Sequence, residues 1–180
     1  MNAEQLHKTL VASQYAEQVL NLYQSELEQA YSKDQFSTSL STETIHQTVQ
    51  ETVAVQTDEQ AWMKALRILR AKLMFRWIWQ DANQLTDVVT LTRELSDFAD
   101  ACICVAKDFA RKPLIAKHGE PIGYSGQVQD LIVIGMGKLG AKELNLSSDI
   151  DLIFAFDEQG ETNGRKCIDV QQFCILWGQK

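Results

Sequence analysis

From Ala3 to about Ser32 the apolar residues Leu6, Leu10, Ala16, Val19, Leu20, Tyr23, Leu27 and Ala30 recur at three- and four-residue steps. That period predicts one face of a helix. Serine-rich polar sequence from Ser32 to Thr42 breaks the pattern, and a shorter helix is expected from Ser41 or Thr42 to about Val53. Thr57 and Gln60 then stand at capping-box spacing, with Asp58 and Glu59 in a first turn where the helix dipole favours acids. In the helix they open, Trp62, Leu66, Leu69, Leu73 and Trp77 form one stripe, while Ala65, Ile68, Phe75 and Trp79 form a second. Two apolar faces predict a helix sandwiched between others.

After Asn83 a third long helix is expected, because Val88, Leu91, Leu95, Phe98, Cys102, Val105 and Phe109 again step by three or four. Pro113 should end or kink it, with a possible resumption to Lys117. The segments 118–121 and 123–126 are rich in glycine and proline and read as a linker. Four β-favouring apolar residues, Leu131 to Ile134, predict a strand covered on both faces. A turn with Gly135, Gly137 and Gly140 follows, then a short helix over Lys138–Leu144 that Asn145 would end in a left-handed conformation. A second strand is expected from Ile150 to Phe156, then a polar loop with Gly160 and Gly164, then a helix from about Ile168. No internal repeat is visible.

Composition narrows the class. An apolar content of 45% in 180 residues suffices for a globular core, and no apolar run is long enough for a membrane span. The N-terminal stretch MNAEQLHKTL lacks the basic-then-apolar order of a secretion signal, so a cytoplasmic protein with reduced thiols is expected. Cys102, Cys104, Cys167 and Cys174 match no zinc spacing, and His7, His46 and His118 are scattered. The net charge of −7 is all N-terminal: residues 1–60 hold nine acids against two basic residues, residues 61–180 fifteen of each. This balance argues against nucleic acid as a partner. Lys64, Arg67, Arg70, Lys72 and Arg76 on the double-faced helix read first as a solvated or salt-bridged face, with contact to a phosphate or an acidic partner as the other possibility.

The chemistry concentrates between Asp130 and Asp157. In a strand, side chains alternate between faces, so Asp149 and Asp151 are expected on one side. Paired carboxylates beside an apolar run repel each other and resist desolvation, and a divalent cation removes both difficulties. Magnesium takes hard oxygen ligands, often one or two carboxylates plus substrate phosphates. The glycine turn offers backbone N–H groups to a phosphate, and Lys138 adds positive charge. A competing reading exists. Gly135-x-Gly137-x-x-Gly140 also fits a Rossmann-like dinucleotide-binding fingerprint, with Asp157 or Glu158 as the ribose-binding acid. It demands an unusually short crossover and leaves Asp149 and Asp151 without a role.

The runs Gly135-Met136-Gly137-Lys138-Leu139-Gly140, Glu143-Leu144-Asn145 and Ser147-Ser148-Asp149-Ile150-Asp151-Leu152-Ile153-Phe154 resemble the signature of the bifunctional glutamine synthetase adenylyltransferase/adenylyl-removing enzymes. Their wording is similar to the N-terminal, adenylyl-removing copy of that family's two nucleotidyltransferase domains. The resemblance implies an α+β fold: a helical N-terminal region, 1–122, followed by the first part of a DNA polymerase β-type nucleotidyltransferase sheet, 123–180, truncated. It implies Asp149 and Asp151 as catalytic metal ligands for Mg2+, with Gly135, Gly137, Lys138 and Ser148 at nucleotide phosphates and ATP or ADP as the nucleotide. Implied partners are glutamine synthetase and the PII signal protein. In this family a third carboxylate comes from a later strand, and Asp157 and Asp169 stand in a loop and a helix start. The chain is therefore expected to be the N-terminal piece of a longer enzyme, inactive alone.

Overall fold

The computed structural model describes residues 1–179, and the fold is mainly helical with two small sheets, an α+β composition. It divides into two compact units, Met1–Ala101 with Lys142–Ser148, and Cys102–Ala141 with Asp149–Lys180.

The first unit holds α1 (Ala3–Ala12), α2 (Gln14–Ser32), α3 (Thr42–Ala54), α4 (Glu59–Ala82) and the opening part of α5 (Val88–His118). The single helix expected over 3–32 is broken at Ser13, whose extended backbone (φ −152°) ends α1 while its hydroxyl accepts the Ala16 amide to cap α2. Serine competes for backbone groups in this way, and apolar spacing alone does not register it. The cap of α4 is Asp58, not Thr57: its Oδ1 accepts the Ala61 amide at 2.9 Å. As its two apolar faces required, α4 packs against α1, α2 and α3. Phe75, Ile78 and Trp79 join Ala16, Val19, Leu27 and Phe36 in the core.

Arg76 takes the salt-bridged form expected of its basic face, but in the interior rather than at the surface. It is buried, its Nη1 donates to Glu94 Oε2 at 2.9 Å and its Nε to the Gln35 carbonyl at 2.8 Å. Glu94 Oε2 also accepts Trp77 Nε1 at 2.8 Å, and Oε1 accepts the Leu40 amide at 2.7 Å. Buried charge is tolerable when paired and hydrogen-bonded in this manner.

The second unit contains the remainder of α5 with β1 (Pro121–Gly123), β2 (Ile132–Gly135), α6 (Gly137–Gly140), β3 (Leu152–Ala155), β4 (Gly160–Thr162) and α7 (Val170–Gly178). Pro113 stands inside α5 without ending it; Ala110 and Leu114 beside it are buried in a core with Leu131, Val170, Phe173, Cys174 and Trp177. The expected linker and polar loop instead pair as β1 and β4, antiparallel, with Ile122 opposite Glu161. Three-residue strands carrying proline and glycine show no alternation by which to recognise them.

The second sheet pairs β2 with β3, antiparallel, Ile132 opposite Ala155 and Gly135 opposite Leu152. The expectation that its first strand is covered on both faces does not hold among the described residues: Ile132 and Ile134 are 45% and 46% exposed, while Val133 packs on the core. No described helix is long and apolar enough to cross a membrane.

Candidate functional site

The glycine turn leaves β2 at Gly135, and its three glycines serve different ends. A Cβ on Gly140 would lie 2.4 Å from the Gly135 carbonyl oxygen, and one on Gly135 would lie 2.9 Å from Leu139 Cγ. Both are needed for close packing. Gly137 has φ +53° and nothing within 4 Å of the place a Cβ would occupy. Its role is conformational, and the space beside it is open.

Helix α6 is only four residues long, shorter than the Lys138–Leu144 expected. The left-handed residue that follows is Lys142 (φ 61°), not Asn145. Asn145 organises the next turn through its side chain instead, Oδ1 accepting the Ser147 amide at 3.1 Å and the Ser148 hydroxyl at 2.7 Å. Within the turn, the Gly140 and Ala141 amides bond back to the Met136 and Gly137 carbonyls. The amides of Gly137, Lys138 and Leu139 meet no acceptor among the described residues. Lys138 is exposed and forms no ion pair among them.

Asp149 and Asp151 precede β3 rather than lying within it, a correction to the strand expected from Ile150. The backbone of Asp151 nevertheless continues the ladder, since its carbonyl accepts the Met136 amide at 2.9 Å. Gly135, Gly137, Lys138 and Asp151 are thus gathered around one end of the β2–β3 pair. Both carboxylates are exposed and meet no donor or cation among the described residues. Ser148 belongs to the first unit, and its hydroxyl is engaged by Asn145.

The donor set here is two carboxylates, hard oxygen ligands of the kind magnesium prefers. Among the described residues no third acid, cysteine or histidine joins them as a metal group. The dinucleotide reading does not survive the strand order. A Rossmann unit requires parallel strands across its crossover, whereas β2 and β3 run antiparallel. Glu158 is also committed elsewhere, accepting the Ser125 amide at 2.8 Å and its hydroxyl at 2.6 Å.

Residues 3–180 match the family model described as glutamate-ammonia ligase adenylyltransferase. The chain belongs to this family. It is 75% identical over all 180 residues to the bifunctional glutamine synthetase adenylyltransferase/adenylyl-removing enzyme of Acinetobacter baylyi, covering 20% of that protein. The like-named proteins of Thioalkalivibrio sulfidiphilus and Pseudomonas aeruginosa are 43% and 46% identical over 73% and 68% of the chain, and 14% and 13% of their own length. The chain therefore spans about a fifth or less of these members of the family.

Membership covers the motif from which the resemblance was drawn. It also covers the helical region before it, where sequence patterning gave elements but no chemistry. Lys142 drew no attention in the sequence, because nothing in lysine foretells a left-handed backbone; its Nζ donates to Asp97 Oδ1 at 2.9 Å and also to Asp100 Oδ2.

Proposed function

We propose that this chain forms part of an enzyme that regulates glutamine synthetase by reversible adenylylation, and that it carries the first part of the deadenylylating domain. The observation that supports this best is local. The amides of Gly137 and Lys138 and the carboxylate of Asp151, without partners among the described residues, flank a single hydrogen bond, Met136 to Asp151. A phosphate acceptor and a cation holder side by side suit nucleotidyl chemistry.

In the reaction proposed, an oxygen of inorganic phosphate attacks the phosphorus of AMP esterified to a synthetase tyrosine. The new P–O bond gives ADP, the bond to the tyrosine oxygen breaks, and that oxygen takes up a proton. The amides of Gly137 and Lys138 would hold phosphate oxygens, approached through the open space beside Gly137. The Lys138 ammonium adds positive charge there, and Gly135 lets the turn close on Leu139. Asp149 and Asp151 would hold Mg2+, which when bound offsets the charge of the phosphates.

The fold that suits this reading is a DNA polymerase β-type nucleotidyltransferase sheet begun by β2 and β3, over the residues 123–180, behind a helical region over 1–122. A third carboxylate, the transfer of AMP from ATP, and a response to the PII signal protein are placed in the longer enzyme. A cytoplasmic site of action accords with these partners.

The decisive measurement is release of ADP from adenylylated glutamine synthetase and inorganic phosphate, using the longer enzyme that contains this sequence. Asp149→Asn and Asp151→Asn should each abolish it. Undiminished release by both variants would refute the assignment.

A further inference from the structure

Of the five cations on α4, two meet a carboxylate and three do not. Lys72 lies 3.6 Å from Glu26, and Arg76 lies 2.9 Å from Glu94. Lys64, Arg67 and Arg70 are exposed and form no ion pair among the described residues. Steps of three residues stack them along one side of the helix, over about 9 Å of its axis. No acid stands three or four residues from any of them, so the helix offers them only like-charge neighbours, which destabilise it.

The stripe runs into a pocket. A cavity of about 350 Å³ is lined by Arg70 and Asp81 and by the apolar Ala12, Met74, Ile78 and Leu146, all within the first unit. That volume accommodates a large apolar side chain. Asp81 lies about three turns beyond Arg70, so a carboxylate is favoured only at the Arg70 end. A long polyanion such as nucleic acid would be repelled by the helices packed on α4, since residues 1–60 hold nine acids against two basic residues. A short acidic stretch of polypeptide beside one bulky apolar residue matches both parts. We propose that this side of α4 is a docking surface for an acidic segment of another protein: Lys64, Arg67 and Arg70 meet its carboxylates, and the pocket takes one apolar anchor. The inference is independent of the roles given to Asp149 and Asp151.

The test is fluorescence polarisation with labelled peptides in which four glutamates and one phenylalanine are separated by zero to four glycines, with thermal midpoints measured alongside. At least one spacing should bind the chain, more weakly as salt is raised. Replacing its phenylalanine by serine should weaken binding about tenfold, and replacing its glutamates by glutamine should abolish it. Arg67→Glu should abolish binding, with Lys64→Glu carrying the test if that variant fails to fold. Ala12→Trp, at an exposed position, should fill the pocket and reduce the phenylalanine peptide to the level of the serine one. No binding at any spacing, unchanged binding in Arg67→Glu, or equal affinity of the phenylalanine and serine peptides overturns the proposal. Tighter binding of an oligothymidylate of equal charge overturns it in favour of a phosphate polymer. Binding by this chain but not by the longer enzyme overturns it in favour of a segment of that enzyme as the occupant.

Discussion

The Met136 amide donates to the Asp151 carbonyl at 2.9 Å, one step past the Gly135–Leu152 pair in the same antiparallel register. The second aspartate is thus held by its backbone while its carboxylate stays exposed. Replacing that carboxylate removes no hydrogen bond or ion pair within the described residues. Asp151→Asn should therefore change stability by no more than about 0.5 kcal/mol, as exposed substitutions usually do. Its effect should fall on ADP release by the longer enzyme. Urea unfolding of the chain beside the phosphorolysis assay separates the two; a large loss of stability would show that the carboxylate is structural.

Two glycines of the same turn should respond differently to one added methyl group. In Gly140→Ala the Cβ would press on a backbone carbonyl oxygen 2.4 Å away, which must shift, and a loss on the order of 2 kcal/mol is expected, typical of overpacking. Gly137→Ala meets no atom, so its cost is that of left-handed backbone alone, about 1 kcal/mol. Yet its methyl group enters the space assigned to phosphate. Protection of the chain against thermal unfolding by phosphate with Mg2+ should therefore weaken in Gly137→Ala even at temperatures where the variant is folded.

How much of this was legible beforehand follows from what each signal encodes. Apolar spacing located the stripes of α4 and α5 because burial imposes a helical period. The breaks at Ser13 and Lys142 escaped it, since each is set by a polar side chain meeting a particular partner. The glycine turn and the order of acids around Asp149 were readable as a family signature, but the strand boundary was not. β3 begins at Leu152. Arg76 shows another limit: spacing placed it on a solvated or salt-bridged face, but its burial follows from Glu94, eighteen residues away, and from the Gln35 carbonyl. Long-range pairings of that kind leave no periodic trace.

That pairing carries its own prediction. Glu94→Ala would leave the Arg76 guanidinium buried without its counter-charge, a change expected to cost about 3–5 kcal/mol. Replacing both partners by leucine should recover only part of the loss. The Leu40 amide and Trp77 Nε1 would still lack the acceptor they now share, at about 1–3 kcal/mol for each group left unsatisfied. Urea midpoints of the three proteins check this order; a fully stable double variant would show that those two donors find other partners.

The thiols should differ in reactivity. Burial, with a smaller contribution from the Asp130 charge, pushes the Cys174 thiol up to about 11. Cys104 and Cys167 are exposed. Because the thiolate is the reactive form, a disulfide reagent at pH 8 should label Cys104 and Cys167 while Cys174 waits for unfolding. Peptide mapping after timed labelling reads this directly, and rapid modification of Cys174 in the folded chain would contradict its packing in the α7 core.

The Lys142 ion pairs should give the first unit a stability plateau bounded on both sides by pH. For Asp97, burial alone would raise the carboxyl; hydrogen bonds from Thr42 and Lys142, with the charges of Lys142 and Arg93, outweigh it and hold the group below its usual 3.8. A carboxyl lowered in the folded state contributes stability above its unfolded value and loses that contribution as pH falls through the folded one. For Lys142, partial burial would lower the ammonium, but the bonds to Asp100 and Asp97 raise it above 10.5. A raised lysine contributes fully below its unfolded value and loses the contribution as pH rises through the folded one. Acid unfolding below the usual aspartate range and alkaline unfolding above the usual lysine range should each carry part of this cluster. Asp97→Asn should lower the plateau and flatten the acid limb, because its stabilisation is already absent at neutral pH. Lys142→Met should lower the plateau and flatten the alkaline limb. Thermal midpoints across pH for the three proteins decide the matter: limbs as steep in the variants as in the wild type would mean that other groups govern both ends.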